Sequence, residues 1–111
     1  LSVKRPVSEE DQHSWRIYAP LQTKSGLLLV EWRYKPRGYR LGGEDGVIMR
    51  AAGLERLIKV LASKEPWSPG PMTWNPPVLL IGDRAFNIGK RGHLIVARTL
   101  NQMLMDVEAL D

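Results

Sequence analysis

The sequence predicts an α+β fold: an antiparallel sheet of four or more strands with a helix packed on it and an amphipathic helix at the C-terminal end. Three patterns carry this expectation. Gly26 to Tyr34 is rich in Leu, Val and aromatics and alternates with a period of two, as a half-buried strand does. Leu54, Leu57, Ile58 and Leu61 recur at helical spacing, and Val96, Leu100, Met103, Val107 and Leu110 do so near the end. The 111 residues suit one domain, and 43% hydrophobic with 25% charged residues are ordinary values for a folding chain.

Residues 1–12 are polar, contain Pro6 and have no period, so they are expected to form a flexible arm. The first residue is Leu and no charged-then-apolar leader precedes the fold, so the natural protein is expected to be longer. Residues 13–95 then form the main α+β domain. His13 to Ala19 alternates as a strand that Pro20 ends, and a turn at Lys24-Ser25-Gly26 leads into Gly26 to Tyr34, making a hairpin. Period two sends Leu28, Val30, Trp32 and Tyr34 to one face and Leu27, Leu29, Glu31 and Arg33 to the other. Arg37 to Leu41 suggests a third strand and Gly46 to Met49 a fourth, with a loop at 42–46 between them.

The stripe from Leu54 to Leu61 marks the first long helix, with Arg56 and Lys59 on its solvated side. Pro66 to Pro77 holds five of the eight prolines together with Trp67 and Trp74, and reads as an extended crossing segment. Val78 to Ile81 and Arg84 to Ile88 are expected to pair across Gly82-Asp83, and Gly89-Lys90-Arg91-Gly92 reads as a cationic turn. In residues 96–111 the apolar positions are spaced 4, 3, 4, 3, a heptad seam. Leu100, Met103, Val107 and Leu110 are therefore candidate dimerisation residues. The plainer alternative is an amphipathic helix packed on the sheet. The pattern is unfinished at Asp111, which suggests a seam that continues. Leu27 to Leu61 and Val78 to Leu110 follow a similar order of strand, glycine turn, apolar run and helix, a faint internal echo.

Charge points to a partner. The net charge is +4, yet between His13 and Leu100 there are 14 Lys/Arg and 6 Asp/Glu, a difference of +8. Such a body attracts polyanions in a salt-dependent way. Within it, Trp32 to Arg40 places three aromatics (Trp32, Tyr34, Tyr39) and four cations (Arg33, Lys35, Arg37, Arg40) in nine positions without an acid. Rings can stack on unpaired bases while cations meet phosphates, so these seven are the leading nucleic-acid-binding candidates. Trp67 and Trp74 are further candidates, as the wall of a cleft or as a cover for the sheet. Lys90 and Arg91, with the N–H groups of a helix start, can receive one phosphate, or can simply form a solvated turn. Trp15 and Phe86 are expected in the core.

Enzyme chemistry finds little support. There is no Cys, which excludes disulfides, thiol nucleophiles and zinc knuckles within this sequence. His13 and His93 lack carboxylates at metal-ligand spacing, and the glycines at 42–46 lack the Gly-Lys-Ser/Thr ending of a phosphate loop. Glu31, Glu44, Asp45 and Asp83 are not spaced to gather around Mg²⁺. The chain is thus expected to have no catalytic residue, metal or cofactor. The longest apolar run, Leu27 to Val30, is far short of a membrane span. Absent Cys and only three Asn and three Gln fit an intracellular, cytoplasmic setting and lean towards a thermophile.

A Cys-free, cationic, Trp-rich β/α body followed by a C-terminal heptad helix resembles the DNA-binding domain of the ThermoDBP family, single-stranded-DNA-binding proteins of Thermoproteales archaea. That resemblance implies an archaeal, dimeric protein of DNA replication and repair, with a leucine zipper after a base-flanked cleft. It implies stacking by Trp32 and Tyr34 and a basic flank of Arg33, Lys35, Arg37 and Arg40. The element order is also similar to the PUR and Whirly families of single-strand binders. The expected partner is single-stranded DNA, bound without sequence preference. The alternatives are single-stranded RNA, or a protein-interaction module using the Pro/Trp segment and the C-terminal helix.

Overall fold

The computed structural model describes residues 3–111 and has the α+β architecture. Strands β1 (Trp15–Thr23), β2 (Gly26–Arg33), β3 (Gly38–Leu41) and β4 (Val47–Met49) form a four-stranded antiparallel meander in the order β1-β2-β3-β4. A short helix α1 (Glu9–Gln12) precedes it and helix α2 (Ala51–Ser63) follows. Strands β5 (Met72–Asn75), β6 (Val78–Ile81) and β7 (Arg84–Asn87) form a second antiparallel sheet, followed by the 20-residue helix α3 (Gly89–Glu108). The internal echo is therefore architectural: a meander and a helix, twice.

Several boundaries differ from expectation. Pro20 lies inside β1 because β1 is an edge strand, where a missing N–H breaks no ladder bond that the sheet needs. The Pro-rich crossing segment supplies β5, whose Met72 to Asn75 contain no proline. Trp67 pairs with Trp74 through two backbone hydrogen bonds of 2.9 and 2.6 Å, adding a one-residue fourth rung to the second sheet. Gly89 to Gly92 is the first turn of α3 rather than a free turn, so residues 96–111 do not form a separate helical unit.

The arm is anchored. Its first two residues lie outside the described part, but Pro6 is buried and Val3 packs on the core. Ser8 caps α1 by accepting the Asp11 N–H, and the Arg5 guanidinium donates to the Leu110 carbonyl at 2.7 Å.

One core joins both sheets and both long helices. From β2 and β3 come Leu28, Val30, Trp32, Tyr39 and Leu41; from α2, Leu54, Leu57, Val60 and Leu61; from α3, Val96, Leu100, Met103, Leu104 and Val107. The seam proposed for dimerisation is accordingly the chain's own core: Leu100, Met103 and Val107 are buried and Leu110 packs against them. A heptad stripe fits a neighbouring helix of the same chain as readily as a second chain, and here α2 takes that place.

Helix α2 ends with Lys64 in the left-handed region (φ 58°), its N–H donating to Leu61 O at 3.3 Å and that of Glu65 to Val60 O at 3.0 Å. Trp74 Nε1 donates to the same Val60 carbonyl at 3.1 Å, tying the second sheet to the end of α2. No helix of the structure is long and apolar enough to cross a membrane, among the described residues.

Candidate nucleic-acid interface

Alternation along the first sheet gives it a covered and an uncovered face. Leu28, Val30, Trp32, Tyr39 and Leu41 point to the helices and are buried. Trp32 (3% exposed) and Tyr39 (1%) are thereby core residues, as is Trp74 (1%), and none can receive a base. The reason is ordinary: their large apolar area is stabilised most where Leu and Val already line the same face. The Tyr39 hydroxyl has no hydrogen-bond partner, and burial raises its pKa against the opposing influence of Arg37.

The uncovered face is set by a bulge. Next to the β1–β2 turn, Thr23 pairs with Gly26 and Ala19 with Val30, but further along Ile17 pairs with Glu31 and Trp15 with Arg33. Tyr18 is the extra residue, and its hydroxyl reaches α3 to donate to Asp106 Oδ2 at 2.8 Å. The slip of one residue turns Trp15 and Ile17 outward. Trp15, expected in the core, is therefore half-buried on the outer face.

Two rows cross that face. In the first, Trp15 lies beside Arg33 and Arg33 beside Gly38. In the second, Ile17, Glu31, Arg40 and Ile48 follow one another across all four strands. The indole of Trp15 reaches across β2 to β3: a Cβ on Gly38 would come within 3.3 Å of its Cη2, so glycine permits the approach. The Arg33 and Arg40 guanidiniums sit 4.4 and 4.7 Å from the Trp15 ring centroid, well inside the ~6 Å range of a cation–π contact. Arg40 is also held by Glu31 in a two-pronged pair, with both bonds at 2.9 Å. Arg33 donates to Pro36 O at 2.9 Å. Beside this charged centre, Ile17 is 60% and Ile48 56% exposed, and Leu27 on the same face is exposed too.

The remaining candidates divide. Tyr34 is half-buried, with the Arg5 and Arg37 guanidiniums 5.9 and 5.5 Å from its ring centroid. Arg37 donates to Asp111 Oδ1 at 2.6 Å and to Val107 O at 3.4 Å. This pair fastens the C-terminal residues and stands apart from the Trp15 group. Lys35 is exposed at the β2–β3 turn, where its backbone is fixed by Gln12 O and by His13 Nδ1. Trp67 is half-exposed and borders a groove of about 250 Å³ along the β4 edge with Ile48, Met49, Pro69 and Pro71. Ile48 belongs to both surfaces and joins the outer face to this groove. Lys90 and Arg91 are exposed on the first turn of α3, in a different part of the molecule.

The sequence reading missed Trp15, Ile17, Ile48 and Leu27. The alternation of Trp15 and Ile17 was visible, but their face depends on a bulge that no turn signal announces. Comparison with protein-family models, with curated proteins and with solved structures gives no match to this chain.

Proposed function

We propose that this protein binds single-stranded DNA without sequence preference, across the outer face of β1–β4. The observation that carries the reading is the half-buried Trp15 on the sheet face opposite the core, flanked by two guanidiniums at 4.4 and 4.7 Å. A base stacked on such a ring contributes ~1–3 kcal/mol, and any base offers the π-face required. Arg40 is partly neutralised by Glu31, so Arg33 and exposed Lys35 are the phosphate partners. Ile17 and Ile48 offer apolar contact to sugars and to the next base, and Ile48 leads on to Trp67.

The test is fluorescence anisotropy of a labelled, unstructured oligonucleotide at low salt. Trp15→Ala is expected to weaken binding roughly 5- to 150-fold, the equivalent of one lost stack. Arg33→Ser is expected to reduce the salt dependence by about one released counterion. A wild-type protein that fails to bind at low salt removes the proposal. An RNA oligonucleotide of matching sequence, used as competitor, decides between the two nucleic acids.

One observation favours a second reading. The groove beside β4 is apolar, and β4 is an edge strand with unpaired backbone groups, as suits an extended peptide added to the sheet. In that case Trp67→Ala removes binding of the partner, Trp15→Ala does not, and oligonucleotides fail to compete.

A further inference from the structure

The turn that carries the cations of the sheet face is held from outside the sheet. Residues 34–37 link Arg33, the last residue of β2, to Gly38, the first of β3, and Lys35 lies within the turn. The turn and its cations bond one another: Arg33 Nε donates to Pro36 O at 2.9 Å, and Arg37 Nε to Tyr34 O at 3.3 Å. The Arg33 guanidinium lies over β3 as well as beside Trp15, its Nη2 3.5 Å from where a Cβ on Gly38 would stand. Where Pro36 sits therefore decides where Arg33 sits.

An exposed turn is ordinarily among the most mobile parts of a fold. Here both backbone groups of Lys35 are tied to the end of α1. Its N–H donates to Gln12 O at 2.8 Å, and its carbonyl meets His13 Nδ1 at 2.7 Å, across 22 residues of sequence. A carbonyl can only accept, so Nδ1 carries the hydrogen and the ring donates, whether it is neutral or charged. His13 is in turn fixed as the C-terminal cap of α1, its N–H donating to Glu10 O at 3.2 Å. Two residues further along the chain stands Trp15. The contacts close a circuit: His13 to Lys35, Pro36 to Arg33, Arg33 to the Trp15 ring, and Trp15 back along the chain to His13.

Core packing does not account for the end of α1. That helix has four residues and buries none of them, and His13 is exposed. So short a helix has little stability of its own. What its end contributes is the pair of bonds to Lys35.

We propose that His13 is a positioning residue for the outer face: its ring clamps the 34–37 turn and so holds the Arg33 guanidinium against Trp15. The consequence for strand binding rests on the sheet-face reading. A cation already in place loses less freedom on meeting a phosphate than one that must first be ordered, so the clamp adds affinity without touching the strand.

The experiment compares His13→Ala with His13→Asn in the intact protein. Asn offers an amide N–H in place of the Nδ1–H but no charge, so it keeps the clamp. The first readout needs no ligand: the NMR signals of the Arg33 side chain, which the Trp15 ring shifts. In His13→Ala they are expected to move towards those of an unstacked arginine, and in His13→Asn to stay near the wild-type positions. His13 is exposed, so unchanged amide signals in β5–β7 verify the fold. The second readout is oligonucleotide anisotropy. His13→Ala is expected to weaken binding roughly two- to tenfold, the equivalent of one lost hydrogen bond, and His13→Asn to restore it. An imidazole that met the phosphate directly would leave Arg33 unmoved and would not be replaced by Asn. The proposal is overturned if the Arg33 signals of His13→Ala coincide with those of the wild type, if Asn behaves as Ala does, or if His13→Ala matches a wild type that binds. A wild type that binds no oligonucleotide removes the sheet-face reading, while the Arg33 signals still decide the clamp.

Discussion

The meander β1–β4 followed by α2 and the meander β5–β7 followed by α3 repeat one order of elements, and both sheets send large apolar side chains, Leu, Ile, Met, Trp and Phe among them, into the shared core. Their outer faces differ. The middle row of the first sheet reads Ile17, Glu31, Arg40, Ile48, with Trp15 lying beside it, whereas the corresponding row of the second reads Thr73, Leu80, Ala85. The inner faces carry the core. A ring and two guanidiniums lie together on one outer face, and among the described residues the other has no such group; this difference is what the proposed binding face rests on.

Four substitutions break or sharpen that comparison. The largest effect belongs to the shared inner face. Trp74→Ala removes a fully buried indole and its bond to the Val60 carbonyl, and urea denaturation should show a loss of ~3–5 kcal/mol.

Next comes the tie between the halves, Tyr18 to Asp106. Burial first, then the hydrogen bond and charge of Asp106, push the Tyr18 pKa up to about 12. The native state thus keeps a proton that the unfolded chain releases near pH 10.0, so stability present below that pH falls as pH rises towards about 12. In Tyr18→Phe this component of the alkaline decline should vanish, which urea titrations at several pH values would detect.

The smallest effects lie outside. Ile17→Ser and Leu80→Ser, each on an exposed outer position, should alter stability by no more than ~0.5 kcal/mol. Only the first should weaken oligonucleotide binding; equal effects from both would erase the distinction between the faces.

Much of the fold was legible because periodicity reports burial directly. The two-face division of β2, the stripe of α2, and the pairing of β6 with β7 across Gly82-Asp83 all appear as read. Less of the site was legible. With a plain two-residue turn at Lys24-Ser25, Trp15 would stand opposite Tyr34 and Ile17 opposite Trp32, both on the core face. One extra residue at Tyr18 inverts that, and such a slip leaves no compositional trace. Trp32 and Tyr39 were drawn towards the surface by the company of their basic neighbours. Alternation carries those neighbours to the opposite face (Arg33, Arg40) or into the turn (Lys35, Arg37). The seam of α3 misled for a different reason: a helical stripe specifies that a partner exists, not which chain supplies it.

The interlocking of the halves has a consequence of its own. Helix α3 packs on β1 and β2 as well as on α2, and the end of α2 holds the indole of Trp74. The two halves share one core, so a chain cut between Lys64 and Trp67 is expected to give two pieces that show little structure by circular dichroism when separate and regain it when mixed.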